Sequence, residues 1–103
     1  MKSINSSFLC TMDSIAEAVK VLEEVIKTMK GSNMSIGINC NGSELYNAGT
    51  KKYEMEGAKA LFDTTQMIDF YVKFLADHPL VTYLEDPMSN EDLPGWRAFI
   101  VYI

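Results

Sequence analysis

The chain has 103 residues, 48% of them hydrophobic, which is the length of one small domain able to bury a moderate core. Its 14 acidic residues outnumber 9 basic ones for a net charge of -5. The lysines are scattered apart from Lys51 and Lys52, so nucleic acid and anionic membrane surfaces are disfavoured as partners.

In chain order, the first predicted element is a helix. From Ser14 the apolar residues Ile15, Ala18, Val19, Leu22, Val25, Ile26 and Met29 recur at helical spacing, and Ser14 with Glu17 has the form of a capping box. Gly31 stands where a left-handed stop is wanted. "SIGIN", residues 35–39, follows a turn-like "KGSN" and reads as a short buried strand with Asn39 at its C-terminal end. "ELYNAGTKKYEM" holds two half-apolar pieces around Asn47, Ala48 and Gly49, the pattern of a hairpin excursion on the surface. A second helix follows, capped by Thr64 or Thr65, with Met67, Ile68, Tyr71, Phe74 and Leu75 as its apolar stripe and His78 and Pro79 at its end.

"LVTYL", residues 80–84, reads as a second buried strand that exits into Glu85, Asp86 and Pro87. Asn90 is placed to cap a third helix, with Trp96, Phe99 and Ile100 on its buried side. The order helix, strand, hairpin, helix, strand, helix defines an α/β chain with a parallel sheet. Two core strands leave both sheet edges unpaired, so the chain reads as an arc cut from a larger barrel or open sheet.

No stretch approaches the roughly 20 apolar residues of a membrane span, and "MKSINSSFLCTMDS" holds no apolar run of signal-peptide length. The chain is therefore read as soluble and cytoplasmic. Cys10 and Cys40 fit no metal signature and are read as free thiols. His78 reads as a helix-end residue, the methionines as core filling, and Glu54 and Glu56 as a solvated face.

Parallel neighbours would set Asn39 and Glu85 on one rim, where a carboxylate and an amide oxygen can serve a hard cation such as Mg²⁺. A solvated strand exit before a proline turn is the alternative reading of Glu85 and Asp86. A small phosphate-binding or receiver-like α/β domain would also place acids at strand ends.

The motifs "IGINCNGSELY", "KKYEME" and "MIDFYVKFLADHPLVTYLEDPMSNEDLPGWRAF" resemble, in order and spacing, the central part of the barrel domain of the enolase family. "SELY" is similar to that family's Ser-Glu-Phe-Tyr, "KKYE" to its Gly-Lys-Tyr-Asp, "LEDP" to its Ile-Glu-Asp-Pro and "EDLPGW" to its Asp-Asp-Trp-x-x-Trp. The resemblance implies that the whole chain, residues 1–103, is a single partial TIM-type (β/α) barrel segment, and that the complete protein carries out Mg²⁺-dependent interconversion of 2-phosphoglycerate and phosphoenolpyruvate, a lyase step of glycolysis. It implies Glu85 as a ligand of the metal that holds the substrate carboxylate, and Asp86 as its neighbour.

Three departures from the family pattern accompany it. Asn39 stands where the family's strand ends in a metal-binding aspartate, residues 1–12 contain no acid where the family carries a catalytic glutamate loop, and no counterpart of the third metal ligand or the catalytic lysines occurs up to Ile103. Lys51, Lys52, Lys59 and Lys73 are not at those positions. Two readings follow. In one, this is a segment of an enolase-type enzyme, inactive by itself and completed by the remainder of such a chain or by a homo-oligomer. In the other, it is a catalytically degenerate enolase-like module for structure or protein interaction.

Overall fold

A computed structural model of the protein describes residues 15–31, 33–55 and 60–102. Their elements are α1 (Ile15–Thr28), β1 (Ile36–Asn39), α2 (Gly42–Leu45), β2 (Tyr46–Asn47), β3 (Lys52–Met55), β4 (Ala60–Phe62), α3 (Thr64–Asp77), β5 (Val81–Glu85) and α4 (Leu93–Tyr102). The expected order is present, with two additions: the single turn α2 and the third antiparallel strand β4. The proposed Ser14 cap, Cys10 and Glu56 lie outside the described residues.

The strands form two sheets. β1 and β5 pair in parallel, with Ile36 opposite Val81, Ile38 opposite Leu84 and Asn39 opposite Glu85, and with one register irregularity between Ile36 and Gly37. β2, β3 and β4 form an antiparallel sheet in that order. Among the described residues no third strand joins β1 and β5, so the barrel is partial and unclosed.

Two apolar clusters hold these layers together. One gathers Tyr53, Met67, Ile68, Tyr71, Met88 and Phe99; the other gathers Val19, Ile36, Phe74 and Val81. α3 contributes to both, because its 14 residues turn one continuous stripe toward the antiparallel sheet and the parallel pair in succession. The strand bearing Tyr53 is therefore no surface excursion: its ring is fully buried in the larger cluster.

The caps differ from expectation. Asp63, not Thr64 or Thr65, begins α3: its Oδ1 accepts the Gln66 N–H at 2.8 Å while the Gln66 side chain accepts the Asp63 N–H at 2.9 Å. This is a reciprocal box, which satisfies two terminal donors where a lone threonine would satisfy one. Asp92, not Asn90, begins α4, its Oδ1 accepting the Gly95 N–H at 3.1 Å. Asn90 instead meets Ser43, whose hydroxyl donates to its Oδ1 at 3.3 Å.

The stripe of α1 is only partly covered. Val19 is buried, whereas Leu22, Val25 and Met29 remain 46–49% exposed, since two strands give the helix too little sheet to lie on. Ile100 on α4 is likewise 65% exposed, against the expectation that it lies inward. Beside it an apolar groove of 310 Å³ runs along β5, walled by Leu75 of α3 and by Trp96, Phe99 and Ile100 of α4. Gly31 takes the left-handed conformation expected of it, with φ of 78°, in the turn that follows the last helical residue, Thr28.

Close approach makes Gly42 indispensable. A Cβ there would stand 2.7 Å from the Asp86 carbonyl oxygen and 2.9 Å from the Met88 carbonyl carbon, both backbone atoms that cannot swing aside. Gly42→Ala is expected to destabilise the chain by about 2 kcal/mol or more. A urea titration checks this; a loss under about 0.5 kcal/mol would mean that the two loops do not meet.

Candidate functional site

The rim of the parallel pair brings together the two residues singled out from the sequence. Asn39 ends β1, Glu85 ends β5, and they are register partners. Both are exposed, as is Asp86. Pairing continues beyond the strands: the Cys40 N–H donates to the Glu85 carbonyl at 2.7 Å and the Gly42 N–H to the Asp86 carbonyl at 2.8 Å.

Each strand then turns through a left-handed residue, Asn41 at φ 54° and Asp86 at φ 49°. Asn and Asp tolerate this conformation better than other non-glycine residues. The Asn39 side chain takes part in its own turn, its Oδ1 accepting the Asn41 N–H at 3.0 Å. An aspartate there could keep that bond and still offer a second, charged oxygen.

Beneath the rim lies a buried polar network that the sequence reading missed. The Asp92 carboxylate is 4% exposed, and its Oδ2 accepts from the Tyr53 hydroxyl at 2.9 Å and the Thr64 hydroxyl at 2.8 Å. The Tyr53 oxygen in turn accepts the Ser89 N–H at 2.9 Å, and the Ser89 carbonyl accepts the Trp96 indole N–H at 2.9 Å. Every buried side-chain polar atom of the described residues has a partner. Tyr53 and Asp92 both sit inside quoted motifs, "KKYE" and "EDLPGW", yet nothing in either motif alone says that they meet.

Other side chains fall away from the rim. His78 ends α3, lies on the Phe74 ring at 4.7 Å between centroids, and meets Glu23 of α1 at 2.8 Å, so it ties two helices together. Lys51, Lys52 and Lys73 are exposed on β3, its turn and α3; Lys59 lies outside the described residues. Cys40, half-buried, is a free thiol whose pKa is raised by burial and by Asp86, against the pull of its hydrogen bond with Tyr71. It is not an activated nucleophile.

Among the described residues no group of three or more His, Cys, Asp and Glu side chains could enclose a metal ion. The rim can supply one carboxylate and one amide oxygen, both hard donors, as part of a ligand set that water and other groups would complete. With helices packed outside parallel strands and polar side chains gathered at the strands' C-terminal ends, fold and rim define a segment of a β/α barrel protein.

The comparisons with known proteins agree. The family described as the enolase C-terminal TIM barrel domain matches residues 5–103. The enolase of Lactobacillus delbrueckii subsp. bulgaricus is 33% identical over 95 residues, covering 89% of this chain and 22% of that protein. The enolase of Aeropyrum pernix is 33% identical over 96 residues, covering 90% of this chain and 21% of that protein. The chain belongs to the enolase family, within its C-terminal barrel domain. It spans about a fifth of the length of the curated relatives it matches.

The phenols under the rim make stability sensitive to alkali. Burial raises the pKa of Tyr53 and of Tyr71 beyond the ordinary phenol range, the Ser89 N–H pulling Tyr53 partly back and Cys40 adding to the rise at Tyr71. Above about pH 10 the unfolded chain sheds these protons while the folded chain keeps them, so the unfolded state binds fewer protons and stability falls with rising pH. Well above pH 10 the loss is expected to reach about 1.4 kcal/mol per pH unit for each phenol. Spectrophotometric titration should show two tyrosines ionising only as the chain unfolds; both titrating freely while it remains folded would contradict this burial.

Proposed function

We propose that this chain supplies part of the strand-end rim of an enolase-type barrel, the reaction of the complete protein being the Mg²⁺-dependent interconversion of 2-phosphoglycerate and phosphoenolpyruvate. The observation that carries the reading is the register pairing of Asn39 with Glu85 at the C-terminal ends of adjacent parallel strands, in a chain of this family. Glu85 would be the metal ligand and, through the metal, the residue that holds the substrate carboxylate. Asn39 would offer its amide oxygen in the neighbouring place. Held by these oxygens, a Mg²⁺ ion would supply positive charge beside the substrate carboxylate, where negative charge develops when the adjacent proton is lost.

The chain's own residues bind and orient in this scheme. The sequence holds no match for the family's proton-abstracting lysine or its loop glutamate, so the 103-residue chain alone is expected to be inactive. Its natural partner would be the remainder of an enolase-type chain or further copies of itself, seated against the edge of β5 that no strand of the described residues pairs with, and the apolar groove between α3 and α4. Such a protein would work in the cytoplasm, where glycolysis runs. No helix among the described residues is long and apolar enough to cross a membrane.

One observation favours a second reading. Asn39 would offer a divalent ion only a neutral amide, and no third acid joins Glu85 and Asp86 at the rim among the described residues. An enolase-like module that has lost metal affinity and serves as an interaction or assembly unit fits that feature.

Calorimetry with Mg²⁺ on this chain and on Asn39→Asp, with and without 2-phosphoglycerate, separates the two. Restoring a carboxylate at an exposed site is expected to raise affinity about tenfold, the size of one added charge acting on a divalent ion through water. Glu85→Ala should abolish the gain. Folded proteins that bind no metal in either form would favour the interaction module.

A further inference from the structure

Asp92 does more than cap α4. Capping needs only its bond to the Gly95 N–H, and an exposed serine or asparagine would serve as well. Here the carboxylate is buried and also receives the hydroxyls of Tyr53 from β3 and Thr64 from the start of α3. Burying an acid where a neutral cap would do works against stability unless its oxygens are well matched with donors.

The bonds converge on the loop that follows Glu85. Ser89 is tied to the Tyr53 hydroxyl through its N–H and to Trp96 through its carbonyl, while Pro87 and Met88 are buried between. At the other end of that loop the Gly42 N–H holds the Asp86 carbonyl. Asp86 sits between these two anchors with φ of 49°, a left-handed conformation that aspartate tolerates better than most residues and that two fixed neighbours hold in place.

We propose that Asp92 is a positioning residue that, through Tyr53 and Ser89, fixes the Glu85 and Asp86 exit in the geometry with which the rim meets a divalent cation. The cation half of this statement rests on the reading of Glu85 as a metal ligand; the tether itself does not. Asp92 touches neither metal nor substrate in this scheme and acts only through the loop.

Amide hydrogen exchange and Mn²⁺ line broadening, both followed by NMR on the 103-residue chain and on Tyr53→Phe, test it. Removing the hydroxyl leaves the Ser89 N–H without its acceptor and takes one donor from Asp92, while the ring still fills the core. The Cys40 and Gly42 amides, whose acceptors are the Glu85 and Asp86 carbonyls, should exchange about tenfold faster or more. The His78 amide, bonded to the Phe74 carbonyl within the α3 end, should stay within about twofold of its original rate. Mn²⁺ broadening at residues 39, 85 and 86 should weaken in parallel.

A folded Tyr53→Phe protein with unchanged Cys40 and Gly42 exchange overturns the tether. Uniform acceleration that includes His78 overturns it too, since that marks general loosening. Should Tyr53→Phe fail to fold, Asp92→Asn keeps both the cap and the shape but removes the charge, and the same selective acceleration is expected of it. A wild-type chain with no Mn²⁺ effect at the rim overturns the metal reading, and the exchange rates then decide on the tether alone.

Discussion

The parallel pairing of β1 with β5 is the constraint from which the remaining architecture follows. Side chains alternate between the two faces of a strand, so a slip of one residue would turn Asn39 and Glu85 to opposite faces and separate them. Register is secured below by Ile36 and Val81, both buried with Val19 and Phe74, and above by the bonds that Cys40 and Gly42 make to the exit carbonyls. The rim is thus held from an apolar floor and a polar lip at once. The lip tolerates no side chain at Gly42, because the two loops touch through their backbones.

A two-stranded parallel sheet needs more support than its own ladder provides. Part of that support comes from α3, whose Tyr71 and Phe74 belong to different clusters and so join the antiparallel sheet to the parallel pair. Further support comes from the polar contacts around Asp92, which link β3, α3, α4 and the exit loop in one buried group. What stays uncovered is also informative. The apolar stripe of α1, Ile100 of α4 and the groove along β5 are left open among the described residues, in a chain that spans about a fifth of the length of the relatives it matches.

Much of this was legible from local pattern. Period and punctuation placed α1, α3, both parallel strands and the Gly31 stop, and the topology rule for alternating strands and helices brought Asn39 and Glu85 to one rim. The misreadings share a cause: they depend on contacts between distant segments. Thr64 looked like a cap because its type suits one, but its hydroxyl is given to Asp92, and Asp63 caps instead. Asn90 looked like a cap for the same reason, and it is taken by Ser43, 47 residues away. Tyr53 sat in what reads as a half-apolar surface hairpin, where one aromatic does not announce that it will anchor the core. Ile100 falls on the helical stripe yet stays exposed, because periodicity reports which face is apolar and not whether anything lies against it.

We propose that register brings the Glu85 carboxylate and the Asn39 amide oxygen together as part of the oxygen-donor set of a hard cation. Diffraction from crystals of the chain grown with Mn²⁺, measured at a wavelength where manganese scatters anomalously, tests this without reference to catalysis. An anomalous peak is expected within ligand distance of both the Glu85 carboxylate and the Asn39 amide oxygen. A peak bound elsewhere, or a rim holding only water at saturating Mn²⁺, would contradict it.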